Sequence, residues 1–260
     1  MTDFDADALA AYLLAARRTR RVLTPPAPEI APSTHADGVA AQRALAHAMG
    51  GDVPAGFKIG ATARTMQDYL ALPGPLAGFM PEVGLHGSGS SLDYRGFVAP
   101  GVECEIALHL GRDLPPGPCT RDEAAAAVDG VMAAIELVEM RYPGLREVGG
   151  PLLIADQVFH AGAVLGAPAE DWQALDLDAL PGRILVDGEE RGRGEGRDLL
   201  GGPLRALAWL AASEEVAAFG GLRAGQVLML GSVTPPIWLG GPCRVEVEFG
   251  ELASTLLTLT

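Results

Sequence analysis

The stretch 101-GVECEIALHL-110 constrains this chain more than any other segment of comparable length. Read as a strand, it sends successive side chains to opposite faces. Val102, Cys104, Ile106, Leu108 and Leu110 then share a core-like face. Glu103, Glu105, Ala107 and His109 share the other. Two acids side by side on an apolar strand repel each other, so the fold must expose them or give them a counter-charge. A second acid raises the same question. In 133-AAIELVEMRY-142, Glu136 lies between Ile135 and Leu137, and a buried lone carboxylate needs a partner or a cation. Three carboxylates meeting at one place would form a hard, oxygen-rich site of the kind that suits Mg²⁺ or Mn²⁺. A solvent-facing strand edge is the simpler reading of the ExE pair alone.

Charge excludes other classes. The 260 residues carry 33 acids against 19 bases, a net charge of −14, so nucleic acid is not an expected partner. The one basic run, Arg17 to Arg21 (RRTRR), reads as the C-terminal end of a first helix. No apolar run approaches the roughly 20 residues of a membrane span. The opening MTDFDADALAAYLLAARR is acidic before it is basic, the reverse of a secretory signal, and a soluble cytoplasmic protein is expected. Cys104, Cys119 and Cys243 are an odd set without CxxC spacing, and read as reduced thiols.

Helical spacing covers 5–20 and 35–49, separated by the Pro-rich joint 24-TPPAPEIAP-32. From residue 56 short apolar runs alternate with Gly and Pro. Strands are expected at 56–60, 97–100, 102–110, 131–139, 161–166, 183–188, 226–232, 243–250 and 252–259. Further helices are expected at 62–70, 121–129 and 203–219. Thr120 and Glu123 form a capping-box signal, and Asp187-Gly188 a hairpin signal. The pattern is α+β: a helical part over 1–75, then a β-rich body over 76–260. No Gly-rich nucleotide-binding sequence is present.

Other residues are candidates for chemistry. Lys58, in 56-GFKIG-60, either snorkels from an edge strand or sits in a pocket, where it could hold an anion or move a proton. In 231-GSVTPP-236, Ser232, Thr234 and nearby backbone N–H groups could hold a carboxylate, or form an ordinary strand-end turn. In 155-ADQVFHAG-162, Asp156, Gln157 and His160 place polar groups before a strand, although a lone His beside an apolar run is more often structural.

Taken in order, GFKIG with TMQ (Thr65 to Gln67), VECEIALHLGRDLP, VMAAIELVEMRY, AD at 155–156 with AGAVLG, and LRAGQVLMLGSVTPP resemble the 2-keto-4-pentenoate hydratase and 4-oxalocrotonate decarboxylase branch of the fumarylacetoacetate hydrolase superfamily. The resemblance implies a mixed β-sandwich roll with an N-terminal helical part, and a metal site of Glu103, Glu105 and Glu136 holding Mg²⁺ (or Mn²⁺). It implies that Lys58 and Asp156 are catalytic, and that Gln67, Gln157, His160, Ser232 and Thr234 face the substrate. It also implies a homo-oligomer acting on a small 2-oxo acid from aromatic-compound catabolism.

The expected reaction is hydration of 2-hydroxypenta-2,4-dienoate to 4-hydroxy-2-oxopentanoate, with the metal polarising the 2-oxo group. The first alternative is decarboxylation of a 2-oxo-enedioate, which needs a further cation from Arg64 or Arg141. Acylpyruvate hydrolysis or oxaloacetate tautomerisation comes next; hydrolysis would need a His-based water activator, and His35, His86 and His109 have no assigned role. An inactive partner subunit is the non-enzyme alternative. Two departures stand out. After the retained AD pair, Gln157 stands for the Asn and the bulky Phe159 and His160 for the serines common in relatives, and Glu139 stands where many have Asp.

Overall fold

The computed structural model describes residues 4–144 and 148–260. Two long strands form its centre, β5 (Pro100–Leu110) and β6 (Val128–Glu139). Their β-branched and aliphatic residues alternate as the acidic stretch required, and they pair antiparallel along almost their whole length. Around them the first sheet is completed by β1 (Gly56–Gly60), β2 (Leu76–Met80), β3 (Leu85–Gly87), β7 (His160–Leu165) and β10 (Val227–Ser232). The order is β2-β1-β10-β5-β6-β7-β3, and the short β11 (Ile237–Trp238) also pairs with β5. The β1/β10 and β3/β7 pairs are parallel.

The second sheet has the order β4-β13-β12-β8-β9, from β4 (Ser90–Leu92), β8 (Pro181–Val186), β9 (Glu189–Glu195), β12 (Cys243–Phe249) and β13 (Thr255–Leu259). It packs on β5 and β6, and Val102, Cys104, Ile106 and Leu108 join Val245, Val247 and Phe249 in one core. The opposite face of β5 and β6 is also covered. There Ala107, Met132, Ala134, Ala163 and Met229 form a smaller apolar cluster, on the face that carries the acids.

Helices α1 (Ala6–Thr19), α2 (His35–Ala48) and α5 (Gly150–Ala155) stack beside the first sheet. The α2 terminus is closed by a Thr34/Asp37 capping box. The predicted Thr120/Glu123 box caps α4 (Arg121–Ala127), and α3 (Arg64–Leu70) follows β1. Leu9, Leu13 and Leu45 share the core of the β body. A boundary at residue 75 falls between β1 and β2, so the first sheet already begins inside the N-terminal part.

Other details depart from the sequence expectation. The helix expected over 203–219 is two, α6 (Pro203–Ala211) and α7 (Glu214–Ala218), because Ser213 N-caps the second by accepting from the Val216 N–H. Residues 97–100 lead into β5 and are not a strand of their own. The Asp187-Gly188 signal is a hairpin, with φ of 51° and 82° as a type I′ turn requires. Its return strand, β9, has no apolar residue and is a largely exposed edge, so no hydrophobic period announced it. No helix among the described residues is long and apolar enough to cross a membrane.

Candidate metal centre

The β5/β6 register sets Glu103 directly opposite Glu136 and Glu105 opposite Ala134. Like charges in directly opposed positions destabilise a strand pair, yet one oxygen from each of Glu103, Glu105 and Glu136 lies within 4.8 Å of the others. Glu105 and Glu136 have no solvent exposure, and Glu103 is half-buried. On the other side, β1 delivers Lys58, whose Nζ is 3.3 Å from Glu136 Oε1. The β10 strand slips out of register between Met229 and Ser232. This irregularity turns the Gly231 N–H toward Glu105 Oε2, at 2.9 Å. Gly231 has φ of 100°, and a Cβ there would lie 2.5 Å from Thr62 Cγ2, so the approach needs glycine.

The electrostatics of this group are unbalanced. Burial, with Glu136 alongside, pushes Glu103 up to about 8. Burial and both neighbouring acids push Glu105 well above the usual carboxylate range. Burial acts the same way on Glu136, but Lys58 and the hydrogen bond from His160 hold it down at about 2. Burial alone would lower Lys58, yet the three acids outweigh it and keep the ammonium charged. Glu105 Oε1 and Glu136 Oε2 are buried without a hydrogen-bond partner. A cation would draw the protons off Glu103 and Glu105; three ionised carboxylates against one ammonium then leave two negative charges, the complement of one divalent cation. The donors are all oxygen, so the residues fit Mg²⁺ or Mn²⁺.

The segment 156–160 forms the adjoining wall. Gln157, Val158 and Phe159 have φ of 56°, 51° and 67°, three consecutive left-handed residues without a glycine. A β-branched residue there is an outlier. The turn offers the Val158 carbonyl to Lys58 Nζ at 3.0 Å. Gly60 and Gly78 make room for it: a Cβ at Gly60 would sit 2.5 Å from Val158 Cγ1, and one at Gly78 2.6 Å from the Gln157 carbonyl oxygen.

Arg17 of α1 grips both ends of the turn. Its Nε and Nη2 donate to Asp156 Oδ1 at 3.0 and 2.7 Å, Nη2 also to the Asp156 carbonyl at 3.0 Å, and Nη1 to the His160 carbonyl at 3.2 Å. Arg141, itself bonded to Glu139, donates to Asp156 Oδ2 at 2.9 and 3.0 Å, and the Tyr142 hydroxyl donates there at 3.0 Å. Burial would raise Asp156, but Arg141 and Arg17 hold it below the usual carboxylate value.

Several expected site residues therefore do other work. Asp156 is wholly buried, and both its oxygens are committed to the two arginines and Tyr142. Gln157 is buried and donates to the Phe79 carbonyl. Gln67 donates to the Ala61 carbonyl and braces the loop after β1. His160 donates from Nδ1 to Glu136 Oε1 at 2.9 Å, and burial lowers its pKa and keeps it neutral. It orients a carboxylate and does not face the cleft. Arg64 is exposed and paired with Asp68, so neither it nor Arg141 offers a cation to the site. His35 lies beside Glu214 and Glu215, His109 beside Asp129, and His86 on β3.

Two adjoining cavities open at Glu103 and share Gly60, Ala61, Met66, Pro235 and Pro236. One, of about 350 Å³, carries Thr62, Thr65, Ser232 and Thr234, with Asp198 also on its lining. The other, of about 280 Å³, contains Lys58 and is otherwise apolar apart from Glu103. Lys58, Ser232 and Thr234 thus lie around the two cavities that open at Glu103. Arg17, the Val158 carbonyl and Trp238 at the apolar cavity were missed. The RRTRR run was the only sequence signal for Arg17, and it reads equally as a helix end. A larger cavity, of about 890 Å³, lies over β8 and β9, where Arg183, Arg193, Glu190 and Glu248 neutralise one another.

Residues 58–257 match the fumarylacetoacetate (FAA) hydrolase C-terminal family. A 2-keto-4-pentenoate hydratase of Burkholderia vietnamiensis is 32% identical over 211 residues, 81% of this chain and 79% of that protein. A 4-oxalocrotonate decarboxylase of Pseudomonas sp is 31% identical over 210 residues, 79% of this chain and 78% of that one. The structure of 4-oxalocrotonate decarboxylase from Pseudomonas putida G7, complexed with magnesium and adipate, superimposes with a TM-score of 0.87. It covers 98% of this chain and 97% of its own at 24% identity, which shows the shared fold.

Proposed function

The chain belongs to the fumarylacetoacetate hydrolase family, and on that premise we propose that it is a divalent-metal-dependent lyase that hydrates a 2-hydroxydienoate to a 4-hydroxy-2-oxo acid. The observation that carries this reading is the Glu103–Glu105–Glu136 trio with Lys58 against it: three converging oxygen donors, with Glu103 at the mouth of a cleft, that carry two net negative charges once ionised on a cation. A divalent ion held by the three carboxylates, Mg²⁺ or Mn²⁺, would supply Lewis acidity to a 2-oxo acid's carboxylate and keto oxygens.

The chain's own groups do the rest. The hydroxyls of Thr62, Thr65, Ser232 and Thr234 line the cavity beside the trio and are suited to hold the substrate carboxylate. Glu136 and the Val158 carbonyl fix the Lys58 ammonium, so it meets the substrate in one orientation. Lys58 is the proton-bearing cation lining the cleft among the described residues. It serves ketonisation by passing a proton toward the far carbon and stabilises negative charge on the substrate in the following water addition. His160 holds Glu136 in place.

Hydration is favoured over decarboxylation of a dicarboxylate because the described cleft contains no second cation. The hydrolytic reading lacks a water-activating histidine facing the cleft. The retained trio and Lys58 speak against an inactive subunit. We also propose a cytoplasmic homo-oligomer, checked by sedimentation. Activity is tested by following 2-hydroxypenta-2,4-dienoate by ultraviolet absorbance with Mg²⁺ and a Glu105→Ala control. Metal-dependent loss of the diene, with 4-hydroxy-2-oxopentanoate appearing and the variant inactive, is expected. Persistence of the diene although Mg²⁺ binds would refute hydration of this substrate.

A further inference from the structure

The two halves of the cleft differ in chemistry. The Thr- and Ser-bearing half suits a carboxylate. The other half is walled by Met66, Leu70, Val158, Phe159, Pro236 and Trp238. Among the described lining residues, Lys58 is its one cation, and that ammonium already serves Glu136 and the Val158 carbonyl. The other charged group there, Glu103, is itself acidic.

Two features hold this wall in place. The left-handed run at 157–159 brings Val158 and Phe159 to the cavity, and Phe159 is fixed edge-on against Tyr142 with ring centroids 5.7 Å apart. Trp238 is 43% exposed, and its ring covers Gly101, where a Cβ would come within 2.8 Å of it. An exposed tryptophan at the cavity is a stacking surface for a planar, conjugated chain.

We propose that the preferred substrates are 2-hydroxydienoates with an uncharged apolar tail longer than a methyl group, seated in this cavity, and that a tail ending in a second carboxylate is rejected. This rests on the reading of the site as a 2-oxo acid pocket. At about 280 Å³, the cavity has roughly nine times the ~30 Å³ share of one liquid water, more than a pentadienoate tail fills. Each methylene added to the tail should tighten binding about fourfold until the cavity is full. A terminal carboxylate would lose its hydration and gain neither a free cation nor a donor.

The test is calorimetric titration of the wild-type protein with Mg²⁺ and unreactive 2-oxo acids, with Trp238 emission as a second readout. The series is pyruvate, 2-oxopentanoate, 2-oxohexanoate and 2-oxoheptanoate, set against 2-oxoadipate. A rising ladder is expected, with 2-oxoadipate at least about 100-fold weaker than 2-oxoheptanoate. A Leu70→Arg variant, at a half-buried wall position, should narrow or reverse that preference. A flat ladder, or 2-oxoadipate binding as well as its apolar counterpart, overturns the proposal. If pyruvate also fails to bind beside the metal, the 2-oxo acid reading falls and takes this inference with it.

Discussion

Arg17→Met tests how the N-terminal helix supports the site. Arg17 is 15% exposed and supplies one of two guanidinium forks to Asp156, which is wholly buried. Breaking a buried pair costs about 3–5 kcal/mol. Here Arg141 and Tyr142 remain on Oδ2, so the expected loss is lower, about 2–3 kcal/mol. That corresponds to a fall in Tm of about 4–12 °C for a chain of this size. The three left-handed residues at 157–159 cost about 1–2 kcal/mol each, or ~3–6 kcal/mol together, so the fork offsets about half of the strain it restrains. Its loss should let the turn relax and move the Val158 carbonyl away from Lys58. A displacement of about 1 Å can cost up to ~100-fold in rate, and a fall in kcat/KM of about 10–100-fold is expected below the new Tm. Arg17→Lys keeps the charge but not the fork and should be intermediate.

The same variant makes a pH prediction. In the wild type, the folded Asp156 pKa is depressed. Between the folded and unfolded pKa values the unfolded state therefore binds more protons. The stabilisation is complete above the unfolded value of about 3.9 and is lost as pH falls through the folded one. With Arg17 gone, the folded value rises toward the unfolded one and less stabilisation remains to be lost, so the variant's deficit should shrink as pH drops below about 4. Urea unfolding at pH 7 and pH 3, with initial rates on the dienoate, measures all of this. A Tm within about 2 °C of wild type together with unchanged kinetics would refute the reasoning.

Glu105→Gln should weaken Mg²⁺ binding by more than the ~10–100-fold typical of outer-shell changes, read by calorimetry. In metal-free protein it should change the Tm little, because burial and the neighbouring acids already hold Glu105 protonated and Gln is its neutral isostere; a large rise in the metal-free Tm would contradict this account. Lys58→Met should reduce kcat by about 10²–10⁴-fold. Because the trio then loses its one counter-charge, the rise in Tm on adding Mg²⁺ should exceed that of the wild type. Gly78→Ala should cost about 1–3 kcal/mol in urea unfolding and exceed Gly60→Ala. The first drives a Cβ against a backbone carbonyl, whereas the second meets a side-chain methyl.

The chain's local pattern determined its central strands and its acids. Alternation over 102–110 and 131–139 places Glu103, Glu105 and Glu136 on faces that pairing can join, and a strand's period of two is a local property. The Thr120/Glu123 capping box and the Asp187-Gly188 turn were legible for the same reason, since their partners lie within a few residues. Gln67, Asp156, Gln157 and His160 were picked out as polar residues worth placing, but composition could not say whether they faced the cleft or braced its wall. Tertiary structure alone decided that. Arg17 meets Asp156 across 139 positions, and only the packing of α1 beside the sheet creates the contact. The left-handed turn at 157–159 contradicts every local preference of Gln, Val and Phe. It persists because Gly60 and Gly78 leave it room and Arg17 holds its ends. The apolar half of the cleft likewise draws residues from distant segments, so its chemistry exists only once the sheet has closed around it.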